Sequence, residues 1–196
     1  MKPRLLVFAG SLRSQSWNKK LARAAADAAQ SQGAEATYVN LNDYPMPLFD
    51  EDLEAQSGMP ATAQKLKRLM LDHHGFLIAS PEYNSSITAV LKNTIDWVSR
   101  KGPGDLDQWP FGGKIAGIMS ASPGVLGGLR GLVHLRMILG NIQTIVIPTQ
   151  LAIIKAHEAF DPAGKLKDQT QNETLSRLVG EVIHLTRGLN QTGGKS

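Results

Sequence analysis

Leu5-Leu6-Val7-Phe8-Ala9-Gly10-Ser11-Leu12-Arg13-Ser14-Gln15-Ser16-Trp17-Asn18 is the stretch whose reading decides the fold. Its first five residues are apolar without alternation, the pattern of a short strand buried on both faces. They empty through Gly10 into a loop of small hydroxyl residues and one arginine. An alanine-rich helix follows, with Leu21, Ala25 and Ala29 at i, i+4 spacing and Gly33 placed to end it. A strand, a tight loop and a helix start make a place to hold a phosphate. The helix start offers unpaired N–H groups and a partial positive charge. Ser11, Ser14 and Ser16 add hydroxyl donors, and Arg13 adds a planar, permanently charged fork. The loop is neither GxGxxG nor GxxxxGK[ST], which argues against the standard dinucleotide turn and the triphosphatase loop. Taken alone it would also suit an ordinary serine-capped helix.

Outward from this stretch the same alternation repeats. Strands are expected at 35–41, 75–80, 114–120 and 143–147, the third closed by Pro81 and the fifth by Pro148. Helices are expected at 18–31, 61–73, 86–100, 127–140 and 169–190. Residues 42–59 read as an irregular excursion. Residues 102–113 read as a loop carrying four glycines and two prolines, and 191–196 as a disordered tail. Short apolar strands separated by helices imply an α/β, doubly wound parallel sheet covered on both faces, with right-handed crossovers. Ligands of such sheets bind beyond the carboxyl ends of the strands, at a topological switch point. The loops 10–18, 81–86 and 121–128 are therefore expected to form one site. With no repeats and no linker, residues 1–190 read as a single domain.

Composition narrows the function. A chain of 196 residues, 42% hydrophobic and 19% charged, has the make-up of a globular domain. No apolar run reaches membrane-spanning length and the N-terminus carries no signal-peptide pattern. Cysteine is absent, which removes disulfides, thiolate catalysis and cysteine metal sites and fits a cytoplasmic location. The net charge of +4 suits anionic ligands. The basic residues are dispersed rather than striped among aromatics, which argues against nucleic acid. There is no GxSxG turn, and His73-His74 lacks an HExxH context and reads as solvated surface. His134 reads as a packing residue, Lys92 and Asp96 as an ordinary i, i+4 pair. No catalytic side chain and no metal ligand is singled out. Residues 129–139 are apolar on more than one face, and Trp97-Val98 offers a second apolar surface, so a homodimer or homotetramer is expected.

The second loop reads Ser80-Pro81-Glu82-Tyr83-Asn84-Ser85-Ser86, with amides and an aromatic ring able to meet a planar heterocycle. The third reads Ser120-Ala121-Ser122-Pro123-Gly124-Val125-Leu126-Gly127-Gly128, where glycines allow close backbone approach. Together with Leu91-Lys92-Asn93-x-x-Asp96-Trp97, these loops resemble the NADPH-dependent FMN reductase family, over residues 4 to about 150. The resemblance implies a flavodoxin-like sheet of order 2-1-3-4-5, which holds FMN at the β1/β3 switch point. It implies that Ser11, Arg13, Ser16 and Asn18 hold the FMN phosphate. Pro81, Glu82, Tyr83 and Asn84 would lie along the isoalloxazine ring, and Ser120, Ala121, Ser122 and Gly124 would complete the pocket. It further implies ping-pong, two-electron transfer from NADPH or NADH to a quinone, flavin, azo dye or chromate. The alternative is a one-electron flavodoxin-type carrier or an FMN-binding module with a protein partner. Such carriers are acidic, whereas this chain is basic, which favours the enzyme.

Overall fold

The structure is a computed structural model and describes residues 1–101 and 109–192. Its centre is a five-stranded, all-parallel sheet in the order β2-β1-β3-β4-β5. The strands are β1 (Arg4–Ala9), β2 (Glu35–Val39), β3 (Gly75–Ala79), β4 (Ile115–Ala121) and β5 (Ile145–Ile153). The helices are α1 (Trp17–Ser31), α2 (Glu51–Ser57), α3 (Ala61–Leu71), α4 (Ala89–Val98), α5 (Leu129–Asn141), α6 (Ala156–Ala159) and α7 (Gln169–Thr192).

Period-two geometry sorts the unbroken apolar runs onto two faces. Leu5, Val7 and Ala9 of β1 join Leu77, Ala79, Ile115 and Met119 under α1 and α7, against Leu21, Ala25, Leu178 and Val182. Leu6 and Phe8 join Phe76, Ile78, Ala116 and Ile118 on the other face, against Leu66, Met70, Leu91, Ile95, Leu132 and Leu135 of α3, α4 and α5. A strand flanked by helices on both sides needs no polar face, which is why the strands read as runs rather than alternations. From β1 the chain goes outward to β2 and then back past β1 to β3, so the strand order reverses between β1 and β3.

Several expectations required correction. Pro148 does not close the fifth strand; β5 runs on to Ile153. It is an edge strand, and the pairing shifts between Ala116↔Val146 and Ile118↔Gln150, which takes up the residues around the proline. β2 ends at Val39 because the Asn40 side chain accepts from the Asn42 N–H and starts a 3-10 turn, Leu41–Asp43. The excursion at 42–59 contains α2, where the Asp50 carboxylate caps the N–H groups of Asp52 and Leu53. Trp97 and Val98 offer no surface. Both are fully buried, the Trp97 indole N–H donates to Pro47 O at 2.8 Å, and Phe49 meets its ring edge-on. α5 does carry two faces: Leu132, Leu135 and Leu139 are buried while Leu129, Val133 and Met137 are exposed.

His73 is not solvated. It is buried, with Nδ1 2.6 Å from Leu69 O and Nε2 2.8 Å from Thr37 Oγ1. Leu69 O can only accept, so Nδ1 carries the proton and Nε2 accepts from the threonine in the neutral ring. Lys92 and Asp96 do pair, at 2.6 Å. α7 extends two residues beyond its expected end at 190; residues 193–196 of the expected tail and 102–108 of the expected loop lie outside the described residues. The remainder of that loop is anchored: Phe111 is buried and the Trp109 indole N–H donates to Ile142 O.

Candidate functional site

Beyond Ala9 the chain must leave the sheet between α1 and α4, and only glycine fits. A Cβ on Gly10 would come within 2.9 Å of Leu91 Cβ. Thr88, the N-cap of α4, donates its hydroxyl to Gly10 O at 2.7 Å and ties the loop exit to that helix. Ser16 caps α1, accepting from the Lys19 N–H. Trp17 and Asn18 are then the first-turn residues whose N–H groups have no intrahelical acceptor. Lys19 is buried, and its ammonium donates to Asn42 Oδ1 at 2.6 Å and to Leu12 O at 3.4 Å. Burial, with Arg23 nearby, holds its pKa below the ordinary lysine value despite Asp43. It sets the shape of the loop from inside, and a lysine in a helical repeat gave no sign of this in the sequence.

The loops after β1, β3 and β4 meet in a cleft of about 170 Å³. Among the expected residues, Ser11, Arg13, Ser16, Asn18, Pro81, Glu82, Tyr83, Ala121 and Ser122 line it. Trp17 and Pro123 line it as well; they lie in the expected loops but were not among the residues singled out. Three expected residues stand outside the lining. Ser120 is fully buried and spends its hydroxyl on Gly127 O at 2.6 Å. Gly124 donates its N–H to Ser122 Oγ, and Asn84 sits at the tip of a turn with φ of 50°.

The side chains inside the cleft are not all free to meet a ligand. Asn18 is 3% exposed and bonds the backbone of Ala121 in both directions, at 2.8 and 3.0 Å. It bolts the start of α1 to the end of β4 and leaves its backbone N–H, rather than its amide, for an anion. Arg13 is exposed, stacks its guanidinium 4.7 Å above the Trp17 ring and donates to Gln15 O at 2.8 Å. Tyr83 remains 58% exposed at the rim. Glu82 faces α5: its carboxylate pairs with Arg130 at 2.6 Å. His134 is exposed and is not a packing residue; its Nδ1 lies 2.9 Å from Ser86 Oγ.

The donor set fits an FMN phosphate: first-turn N–H groups, serine hydroxyls and an exposed arginine, with no carboxylate left unpaired among them. The cleft is smaller than the roughly 300 Å³ of pockets that bury a whole drug-sized ligand. It is sized for one end of such a molecule, with the remainder over the open rim at Tyr83. A larger cleft of about 520 Å³ runs along α1 between Tyr38 and the turn at 162–165. It is lined by none of the residues of the three loops, so the smaller cleft is the candidate by its chemistry rather than its volume. Among the described residues no group of three or more His, Asp or Glu gathers as a metal site, and no helix is long and apolar enough to cross a membrane.

Known proteins resemble this chain in sequence and in fold. The family model described as NADPH-dependent FMN reductase matches residues 3–158. A quinone reductase from Escherichia coli (strain K12) is 33% identical over 183 residues, 92% of this chain and 92% of that protein. A 2-hydroxy-1,4-benzoquinone reductase from a Burkholderia species is 35% identical over 188 residues, 95% of this chain and 98% of that protein. Among solved structures, a flavoenzyme NAD(P)H:(acceptor) oxidoreductase from Paracoccus denitrificans superposes with a TM-score of 0.80 at 28% identity, covering 95% of this chain and 98% of that one.

Proposed function

Because the chain belongs to the NADPH-dependent FMN reductase family, we propose that it is an FMN-dependent NAD(P)H oxidoreductase reducing quinones or similar acceptors by a ping-pong cycle. The single observation that carries this reading is the cleft at the β1/β3 reversal. It joins phosphate donors on loop 10–18 to the planar-facing turn 81–86 and the end of β4. Bound there, FMN supplies hydride acceptance and onward electron transfer to a second substrate.

The protein's own part is to hold and orient. Ser11, Ser16, Arg13 and the Trp17 and Asn18 N–H groups receive the phosphate. Pro81, Glu82 and Tyr83 form the wall beside the ring, and Ala121 and Ser122 close the opposite side. Two lining side chains are already engaged within the protein: Glu82 is ion-paired and Asn18 is bound to backbone. The rim at Tyr83 stays open, so NAD(P)H and acceptor use one approach in turn. The working unit is a homodimer or homotetramer of a single FMN-binding domain over residues 1–190, with the exposed face of α5 as its contact. The absence of cysteine and the use of a nicotinamide co-substrate support a cytoplasmic setting.

The test is FMN titration followed by visible absorbance, then NAD(P)H oxidation with and without added quinone. FMN should bind at one site per chain, and oxidation should depend on quinone with parallel lines in double-reciprocal plots. A chain that binds FMN but fails to consume NAD(P)H with any quinone is a carrier or binding module, and intersecting lines would mean separate co-substrate sites.

A further inference from the structure

The turn at 83–86 is closed by two reciprocal backbone hydrogen bonds, from the Tyr83 N–H to Ser86 O at 2.9 Å and from the Ser86 N–H to Tyr83 O at 3.0 Å. Its two central residues, Asn84 and Ser85, have φ of 50° and 64°. Two successive non-glycine residues in the left-handed region persist only where the surroundings over-determine them.

Those surroundings come from α5. The Glu82 carboxylate accepts from Arg130 Nε at 2.9 Å and Nη2 at 2.6 Å on one oxygen, and from the Gly131 N–H at 3.2 Å on the other. One helical turn later, His134 meets Ser86 Oγ. Gly131 lets the helix approach this closely, since a Cβ there would lie 3.2 Å from Ser86 O and 3.3 Å from Glu82 Cβ. The Glu82 side chain is only 9% exposed, whereas that of Arg130 is 59% exposed. Burial pushes the Glu82 carboxyl upward, but the Arg130 fork and the Gly131 N–H outweigh it and hold the pKa below its ordinary value. Glu82 therefore faces the helix as an anion, although it lines the cleft.

We propose that Glu82 and Arg130 are a pair of positioning residues: they fix the 81–86 turn against the first turn of α5 and thereby set where its backbone meets the flavin ring. The proposal rests on the reading that FMN binds in this cleft. The Glu82 carboxylate is spent on α5, and Arg130 is not part of the cleft lining. Arg130 in particular carries no sequence signal, standing 48 residues from its partner on a helix whose pattern reads as packing.

Because the pair acts at the ring and not at the phosphate, it separates from Arg13 by ligand. Arg130→Met and Glu82→Gln should each weaken FMN and riboflavin by the same factor, about tenfold. Both should alter the visible circular dichroism of bound FMN. The double variant should be scarcely worse than either single one, since both remove one interaction, and Arg130→Lys should recover part of the loss. The exposure of Arg130 makes its variants the ones that keep the fold, which far-ultraviolet dichroism checks. The proposal is overturned if Arg130→Met leaves riboflavin affinity and the visible dichroism within about twofold of wild type. It is equally overturned if FMN alone weakens, which would put Arg130 at the phosphate. Failure of wild type to bind FMN would instead remove the underlying reading.

Discussion

Asn18→Ala is the substitution that tests most directly how the site is built. β4 runs past the end of β3: the last backbone bond between them is from the Ser80 N–H to Met119 O at 2.8 Å. Two residues on, Ala121 turns its polar groups the same way, where no strand remains to receive them. Asn18 takes the place of that strand, donating to Ala121 O at 2.8 Å and accepting from its N–H at 3.0 Å, across 103 residues of chain. Removing the amide loses two neutral hydrogen bonds and leaves two backbone groups short of partners. At about 1–3 kcal/mol for each of the two backbone groups left unsatisfied and dry, the loss would lie near 2–6 kcal/mol. Both residues line the cleft, so water can reach the orphaned groups and the lower half of that range is expected. Asn18→Asp should be no better, because it sets a carboxylate against a carbonyl oxygen. Urea unfolding, read at constant m, gives the stability change. FMN titration should show a Kd raised by about tenfold, as loop 10–18 loses its alignment with β4. A stability loss below about 0.5 kcal/mol would refute the bolt. A full stability loss with unchanged FMN affinity would refute the claim that this junction shapes the cofactor site.

Arg13→Ala should weaken FMN by about 1.5–3 kcal/mol, one to two decades in Kd, while riboflavin binding stays level; equal loss for both ligands would place Arg13 at the ring instead. Desolvation, reinforced by Lys114 and Arg4 against the Leu69 hydrogen bond, holds the His73 pKa below its ordinary value. The unfolded chain then binds the proton first, so stability is complete above about pH 6.5 and falls as the pH drops below it. His74, held down by the same causes, adds to that slope; urea midpoints at neutral and mildly acid pH should differ, and His73→Gln should narrow the difference. Light scattering should give a multiple of the 21.2 kDa chain, and Val133→Glu should lower it toward the monomer; a wild-type monomer at micromolar concentration would remove α5 as an assembly face.

The sheet was legible because its strands obey one strong rule. A parallel strand covered on both faces must be apolar throughout, and Leu5–Ala9, Phe76–Ala79 and Ile115–Met119 are so. The loops were legible because they sit where that topology puts ligands. The local exceptions were not. Pro148 reads as a stop until β5 is known to be an edge, and edge position is a property of the whole sheet. α2 and α6 are too short to show a period.

Within the site, residue types announced the chemistry but not how each side chain is spent. Ser11, Ser16 and Tyr83 stand in the cleft where their loops suggested. Asn18, Glu82 and Ser120 also belong to those loops, yet each is engaged elsewhere in the protein: with β4, with α5 and with Gly127. A buried polar group without a partner is costly, so a polar residue near a ligand first satisfies the backbone around it. Those partners lie 103, 48 and 7 residues away. Spacing motifs record that such residues recur together. Only the folded chain separates side chains left free in the cleft from those spent on holding its walls in place, and in this cleft both kinds come from the same loops.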